Sequence, residues 1–575
     1  MSGIDLVVRG GLVDDGTGAG AHRADVAIGG GRIVAVGTVD PVVDGARVLD
    51  AAGLLVTPGF VDIHSHFDAN VTWESRLAPS SGHGITATVF GNCGVGFAPC
   101  RPADRGFIVD LMEGVEDVPA DLLHQALGWT WETYPEYLAA VGARRFDMHV
   151  GGLLPHSCLR VYVMGERAIA GEEATPADLA AMSALVSEAL DAGAMGVGTT
   201  KLWNQKTRAG VRAPSGWAAE AELDAIASAL ARAGRRPAGG VLQVAPEFNQ
   251  FPTAVAEIRQ LIALAARHGI RVTFTVKQTN RFPQGWRQLL ELAAEAQAAG
   301  VDIRPQVLGR PTGVVVTWDS TFHRFTRAPS YAAIAGMPLE DRLAELARPG
   351  RKSAILAEIA AIEARYPYRT GPELMFPMAD VPDYEPTPEM SVAALAASTG
   401  ADDRALCYEL MSDRDGRGAI LVCSGNYAEG HLGPAAEMLA FEHSLWGLGD
   451  AGAHCTAICD ASATTHLLSY WARDRTLGPR IRQTEVIRRL TSVPADFFGL
   501  TDRGRLVPGA VADLNVIDVH RLALKGPRMV YDLPGGGRRL VQDAVGYRAT
   551  IVAGQVVVAD DTDTGARPGT LLRPA

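Results

Sequence analysis

The sequence predicts an α/β protein: a TIM-like (β/α)8 barrel carrying a small β-sandwich built from both chain ends. Three observations lead there. Strand and helix signals alternate through the middle of the chain, which argues for a parallel sheet with helices outside it. Roughly eight such units suit a closed barrel better than an open sheet. Helix-free strand signals crowd the two ends, each set too small to bury a sheet face alone.

The N-terminal strands are expected at 5–9, 25–28, 32–36 and 47–50, separated by glycine-rich turns. Their C-terminal partners are expected at 512–518 and 549–558, the second interrupted by a turn. Residues 1–55 plus 500–575 are therefore assigned to one composite β domain, and 56–499 to the barrel. Strands are expected at 56–63, 85–91, 147–154, 195–200, 240–245, 271–277, 301–307, 419–424 and 445–449. Helices are expected at 176–193, 218–234, 253–268 and 285–299, from apolar residues at helical spacing and many alanines. Residues 308–418 break the rhythm with proline-rich sequence and are expected to form an inserted lid or subdomain after the seventh strand, with a solvated decoration as the alternative.

The 575 residues are 47% hydrophobic and 21% charged, ordinary globular composition with ample core. The net charge of −12, without a long basic run, argues against nucleic acid and against an anionic membrane surface. No apolar run reaches membrane-spanning length, and Met1 to Leu6 do not read as a secretory leader. Seven cysteines form no CxxC pair, and a reducing cytoplasm is expected. A homodimer is expected only from the general frequency of closed homo-oligomers.

The chemistry concentrates at strand ends. In Asp62-Ile63-His64-Ser65-His66 the histidines stand two apart, so a strand presents both imidazoles to one space, where they can share a metal ion. Cys93 ends the next strand between glycines, placed to be a thiolate ligand or a small apolar filler. Asp450 follows Leu445-Trp446-Gly447-Leu448-Gly449 and is read as a metal ligand, as the acceptor of a water proton, or as a helix N-cap. His454 is expected to contact substrate or orient the site.

These residues give the chain a resemblance to the amidohydrolase superfamily, and within it to the D-aminoacylase or N-acyl-D-amino-acid deacylase branch. Pro58 to His66 resembles its first barrel strand, Gly91-Asn92-Cys93-Gly94 its cysteine motif, and Gly449 to His454 its eighth-strand aspartate motif. His156 to Arg160, with Val163-Met164-Gly165, is also similar to that branch. The resemblance implies a divalent metal, zinc by family habit, held by His64, His66, Cys93 and Asp450, with Asp450 also general base and acid. Metal-activated water would attack the amide carbonyl of an N-acyl amino acid or similar small molecule. His156, Arg160, Lys277 and His454 would then position substrate.

The chain departs from that pattern on strands five and six. Val241 to Glu247 and Val272 to Gln278 contain no histidine, and His268 precedes strand six. A single ion is one expected consequence. Lys277 is then read as a substrate anchor, a base or a metal-bridging carbamate, and Lys201 as the more usual place for such a carbamate, with a charged group snorkelling at the barrel rim as the alternative for both; Gln243 is read as a weak ligand or amide anchor, or as structural. The alternatives to hydrolysis are a cyclisation, elimination or decarboxylation on the same scaffold, or small-molecule binding without turnover.

Overall fold

Eight strands run parallel, in chain order, in the central sheet: β1 (Phe60–Asp62), β2 (Ile85–Phe90), β3 (His149–Pro155), β4 (Gly196–Thr200), β5 (Val241–Ala245), β6 (Arg271–Thr275), β7 (Ile303–Val307) and β8 (Leu445–Trp446). This is a computed structural model, and it describes residues 3–39, 45–232, 240–366 and 370–574. The sheet curls as a TIM-like barrel. Just beyond β1 and β8 the chain segments meet: Ser65 bridges Ala451, His66 N donates to Ala451 O at 2.7 Å, and Asp450 N donates to His64 O at 3.0 Å.

The helices form where their periodicity places them. The 176–193 segment is helical from Pro176 to Ala192, begun by a capping box of Thr175 and Asp178 and ended by Gly193 at φ 113°. Phe251–His268 buries Ala254, Ile258, Leu261, Leu264 and Ala265, a stripe at helical spacing, and stops at Gly269. Glu220–Arg232 and Gly285–Ala298 complete the expected set; residues 233–234 lie outside the described residues.

Two strand expectations need correction. The 56–63 segment is not one strand. Leu55–Pro58 joins the terminal sheet, pairing with Leu514–Ile517, and only Phe60–Asp62 enters the barrel. Gly59 stands between them, where an added Cβ would lie 2.0 Å from Thr86 Oγ1. Ala419–Gly425 is not a barrel strand either. It is the middle of a three-stranded antiparallel sheet with Thr312–Val316 and Met375–Met378, because its neighbours in space come from within the inserted segment. That segment packs on its own cluster around Trp318, Phe325, Tyr331 and Tyr408.

Strands from both chain ends share one nine-stranded sheet. Leu6–Val13, His22–Gly29, Arg32–Gly37, Arg47–Asp50 and Leu55–Pro58 come from the first 58 residues; Leu514–Ile517, Tyr547–Val552, Gln555–Ala559 and Thr562–Asp563 come from the C-terminal part. Among the described residues, no helix is long and apolar enough to cross a membrane.

Candidate metal centre and catalytic cleft

At the C-terminal ends of the barrel strands, His64, His66, Cys93 and Asp450 converge on the floor of a cleft of about 410 Å³. The ligand atoms of His64, His66 and Cys93 lie within 4.8 Å of one another, and all three residues are buried. His64 Nε2 is 3.6 Å from Cys93 Sγ and 3.2 Å from Asp450 Oδ1, and His66 Nε2 is 3.6 Å from the same oxygen. A tetrahedral site with bonds near 2.0–2.3 Å has edges of roughly 3.3–3.7 Å. These three separations match such edges, and the donor atoms of His64, His66 and Cys93 form the group that could hold an ion, with Asp450 against both imidazoles.

Each ligand is set by local backbone. Asp62 Oδ1 accepts from His64 N at 3.0 Å, holding the turn out of β1. Cys93 sits at φ 55°, between Gly91 at φ 85° and Gly94 at φ 72°, in a left-handed turn that closes over the end of β2. Gly91 is required there, since a Cβ would meet Leu153 O at 2.1 Å. Leu448, Asp450 and His454 also adopt positive φ, a concentration of strained backbone in the loop that carries the catalytic candidate.

The electrostatics favour a cation at the centre. Burial disfavours the His64 imidazolium, but Cys93 and Asp450 outweigh it and raise the pKa to about 9. His66 is likewise raised against burial, by Glu116 first and then Asp450. Burial opposes ionisation of Asp450 and Cys93, but the imidazoles outweigh it, holding the carboxyl well below its usual range and lowering the thiol. A thiol and two carboxylates around two imidazoles make a donor set and an electrostatic field that suit a divalent cation.

The other sequence candidates divide. Lys277 lines the cleft two residues past β6, with its Nζ 4.4 Å from the centre of the Phe248 ring. Burial lowers its pKa to about 8, opposed by Asp450. His454 also lines the cleft, its Nε2 3.9 Å from Glu116 Oε2. Gln243 is not among the cleft-lining residues; its Oε1 accepts from Cys93 N at 2.8 Å. His156 and Arg160 lie apart from the cleft, fully buried, both bound to Glu222: His156 Nε2 is 2.7 Å from Glu222 Oε1, and Arg160 Nη1 donates to Oε2. Lys201 directs its ammonium to Ala218 O, and His268 pairs with Asp224. Strands β5 and β6 end in Ala245 and Thr275, which line the cleft where the resemblance called for imidazoles.

Two residues at the centre escaped sequence reading. Gln306, on β7, places Oε1 2.6 Å from His64 Nδ1. Its signal was a polar residue one position before the end of a barrel strand, in Ile303-Arg304-Pro305-Gln306-Val307. Glu116, the last residue of the helix Arg105–Glu116, is buried with Oε1 3.4 Å from His66 Nδ1. Nothing in its local sequence marks it. The insertion contributes Leu308, Thr312, Gly313, Val314 and Phe322 to the cleft wall, and Ser424 joins them from the strand Ala419–Gly425.

Fold and cleft are those of a barrel enzyme, and the family match makes it a hydrolase of carbon–nitrogen bonds other than peptide bonds. The chain belongs to the amidohydrolase family, whose description matches residues 47–558. It is 26% identical to N-acyl-D-glutamate deacylase from Alcaligenes xylosoxydans xylosoxydans, across 99% of this chain and 96% of that one. N-acyl-D-aspartate deacylase from the same organism is 37% identical over 195 residues, 34% of this chain and 36% of the relative. Among solved structures, a D-aminoacylase superposes with a TM-score of 0.65 at 22% identity, covering 99% of this chain and all of the other. N-acyl-D-glutamate deacylase from Bordetella bronchiseptica, complexed with zinc and a phosphonate inhibitor, gives 0.62 at 22% identity, with both chains fully covered.

Proposed function

We propose that this protein is a metal-dependent amidohydrolase that cleaves the amide C–N bond of a small N-acyl amino acid of D configuration. The convergence of two imidazoles and a thiol within 4.8 Å of one another, with the Asp450 carboxylate 3.2 and 3.6 Å from the imidazoles, carries the reading. The names of the relatives support the substrate class. His64, His66, Cys93 and Asp450 would hold one divalent ion, with zinc suited to the mixed N, S and O donors. Alanine and threonine at the ends of β5 and β6 support a single ion. When bound, the ion would polarise the carbonyl and make a nucleophile available at neutral pH.

The protein groups supply the remainder. Asp450 stands at the cleft beside the two imidazoles, where its oxygen can take a proton from water and return it to the departing amine nitrogen. The Lys277 ammonium, half-buried beside Phe248, offers a fixed cation to the substrate carboxylate. His454 stands at the cleft wall within reach of the acyl or amine side. We further propose that residues 1–55 and 500–575 form one β-sandwich unit beside the 56–499 barrel; the shared sheet and a separate cluster that includes Leu6, Val26, Leu514 and Ile551 support it.

The test is turnover of N-acetyl-D-amino acids by zinc-loaded protein and by Asp450→Asn at equal zinc content. The substitution should lower kcat by ~10²–10⁴-fold, the usual contribution of a positioned acid–base group. A near-wild-type rate would remove Asp450 from the mechanism. Stoichiometric zinc with no turnover on any N-acyl-D-amino acid would favour the non-hydrolytic reading of the scaffold.

A further inference from the structure

We infer that Gln243 and Gln306, two buried carboxamides inside the barrel, are positioning residues that set the donor geometry of the metal centre. The inference rests on the metal-binding part of the proposed function, and not on the choice of substrate.

Each glutamine directs one oxygen to one ligand. Gln306 Oε1 lies 2.6 Å from His64 Nδ1. A carboxamide oxygen only accepts, so the proton sits on Nδ1. His64 Nε2 is then left to face Cys93 Sγ and Asp450 Oδ1, the side on which an ion would sit. Gln243 Oε1 accepts from the backbone N–H of Cys93 at 2.8 Å, pinning a non-glycine residue in left-handed backbone. That bond fixes the direction of the Cβ–Sγ arm toward the histidines. The two glutamines come from β5 and β7, both odd strands, whose inward side chains share layers in an eight-stranded barrel. Two strands across the barrel thus aim ligands carried just beyond the ends of β1 and β2.

A purely structural role explains these residues poorly. Both side chains are fully buried, and neither Nε2 has a hydrogen-bond partner among the described residues. An unpartnered amide donor in a barrel interior destabilises the fold relative to an apolar residue of similar size. Leucine or methionine would fill the same space without that cost. Retaining two such carboxamides, each with its acceptor on a ligand, fits orientation better than packing. His66 is held differently, by the Glu116 carboxylate at 3.4 Å from its Nδ1, so the two imidazoles have partners of different charge.

The experiment uses full-length Gln306→Leu, Gln306→Glu, Gln243→Leu and Gln243→Glu, each checked by circular dichroism and thermal melting of the metal-free form. Zinc affinity is measured by chelator competition, and cobalt(II) is substituted to read the thiolate-to-metal charge-transfer band. Gln306→Leu should bind zinc ~10–100-fold more weakly, the usual effect of losing a group that orients a ligating histidine. Gln306→Glu keeps the acceptor and should recover most of that affinity. Gln243→Leu should bind cobalt with a diminished thiolate band, and Gln243→Glu should restore it. Folded Leu variants with wild-type zinc affinity and an unchanged thiolate band would overturn the inference. So would a loss of affinity that neither Glu variant recovers. If either Leu variant fails to fold, the corresponding Glu variant decides: wild-type-like metal binding supports the orienting oxygen, and lost binding in a folded Glu protein refutes it. Failure of the substrate reading would show instead as absent turnover with normal zinc binding in the parent protein.

Discussion

Asp450 Oδ1 faces two imidazoles at 3.2 and 3.6 Å, and shares with Cys93 and Glu116 the anionic side of the centre. In the metal-free protein, the imidazole of His64 is more basic in the fold, about 9, than its ordinary 6.5, because Cys93 and Asp450 outweigh burial. The sign of the pH dependence follows. A raised folded-state pKa contributes stability that is fully present below about 6.5 and is lost as pH rises through about 9. The His64 contribution to the melting temperature of the metal-free protein, read as the difference from a His64→Gln variant, should therefore fall between those limits. Zinc affinity should climb over the same interval, by about tenfold per pH unit for each proton displaced. Chelator competition at several pH values measures the second effect. An affinity flat with pH would mean that the ion and the His64 proton do not compete. At this scale the motif residues were legible: Asp-x-His-x-His, Cys93 between glycines, and Asp450 after an apolar strand all announce themselves locally. The histidine and arginine at 156 and 160 carried equally visible local signals, yet the fold binds both to Glu222 in the interior.

The elements matter through their ends. The turn after β2 carries Cys93, and it exists because Gly91 accepts φ 85° with Leu153 O against its backbone. Gly91→Ala would bring a Cβ to 2.1 Å from that oxygen. The expected loss is at least ~1–3 kcal/mol of stability from the strained backbone and overpacking, together with weaker zinc binding as the thiol moves. Denaturant unfolding of the metal-free protein and chelator competition measure the two effects. Wild-type values in both would show that the turn tolerates the side chain. The division of 56–63 at Gly59 belongs to the same scale. Periodicity sees one apolar run there, while hydrogen-bond partners from residues 514–517 capture its first half.

For the molecule as a whole, barrel closure is what makes the site. The meeting of Ser65 with Ala451 brings residues 386 positions apart in the chain into register, and Asp450 reaches the histidines as a direct result. Away from the site, Gly569 bridges Phe146, and Leu571 bridges Val150 near the start of β3, tying the C-terminal tail to the barrel. Leu572 is buried in a cluster with Val61, Leu153 and Val241. Leu572→Ala should cost ~2–5 kcal/mol of stability and leave zinc stoichiometry unchanged, read by unfolding and metal analysis. Loss of zinc in the folded variant would mean that the tail also shapes the centre.

The sequence alone determined the alternation that makes a parallel barrel, the strand ends that carry His64, His66, Cys93 and Asp450, and the absence of histidine from the fifth and sixth strands. Those features are local. Periodicity of two or 3.6 residues, glycine at turns and charged groups after apolar runs are written into a few neighbouring residues. Only the tertiary structure decided which buried polar groups serve the centre. Gln306 meets His64 across 242 positions and Gln243 meets Cys93 across 150. Glu116 reaches His66 only because its helix packs with that end turned inward. Such contacts depend on how barrel strands stagger and on where a side chain points after packing, and no short stretch of sequence encodes either.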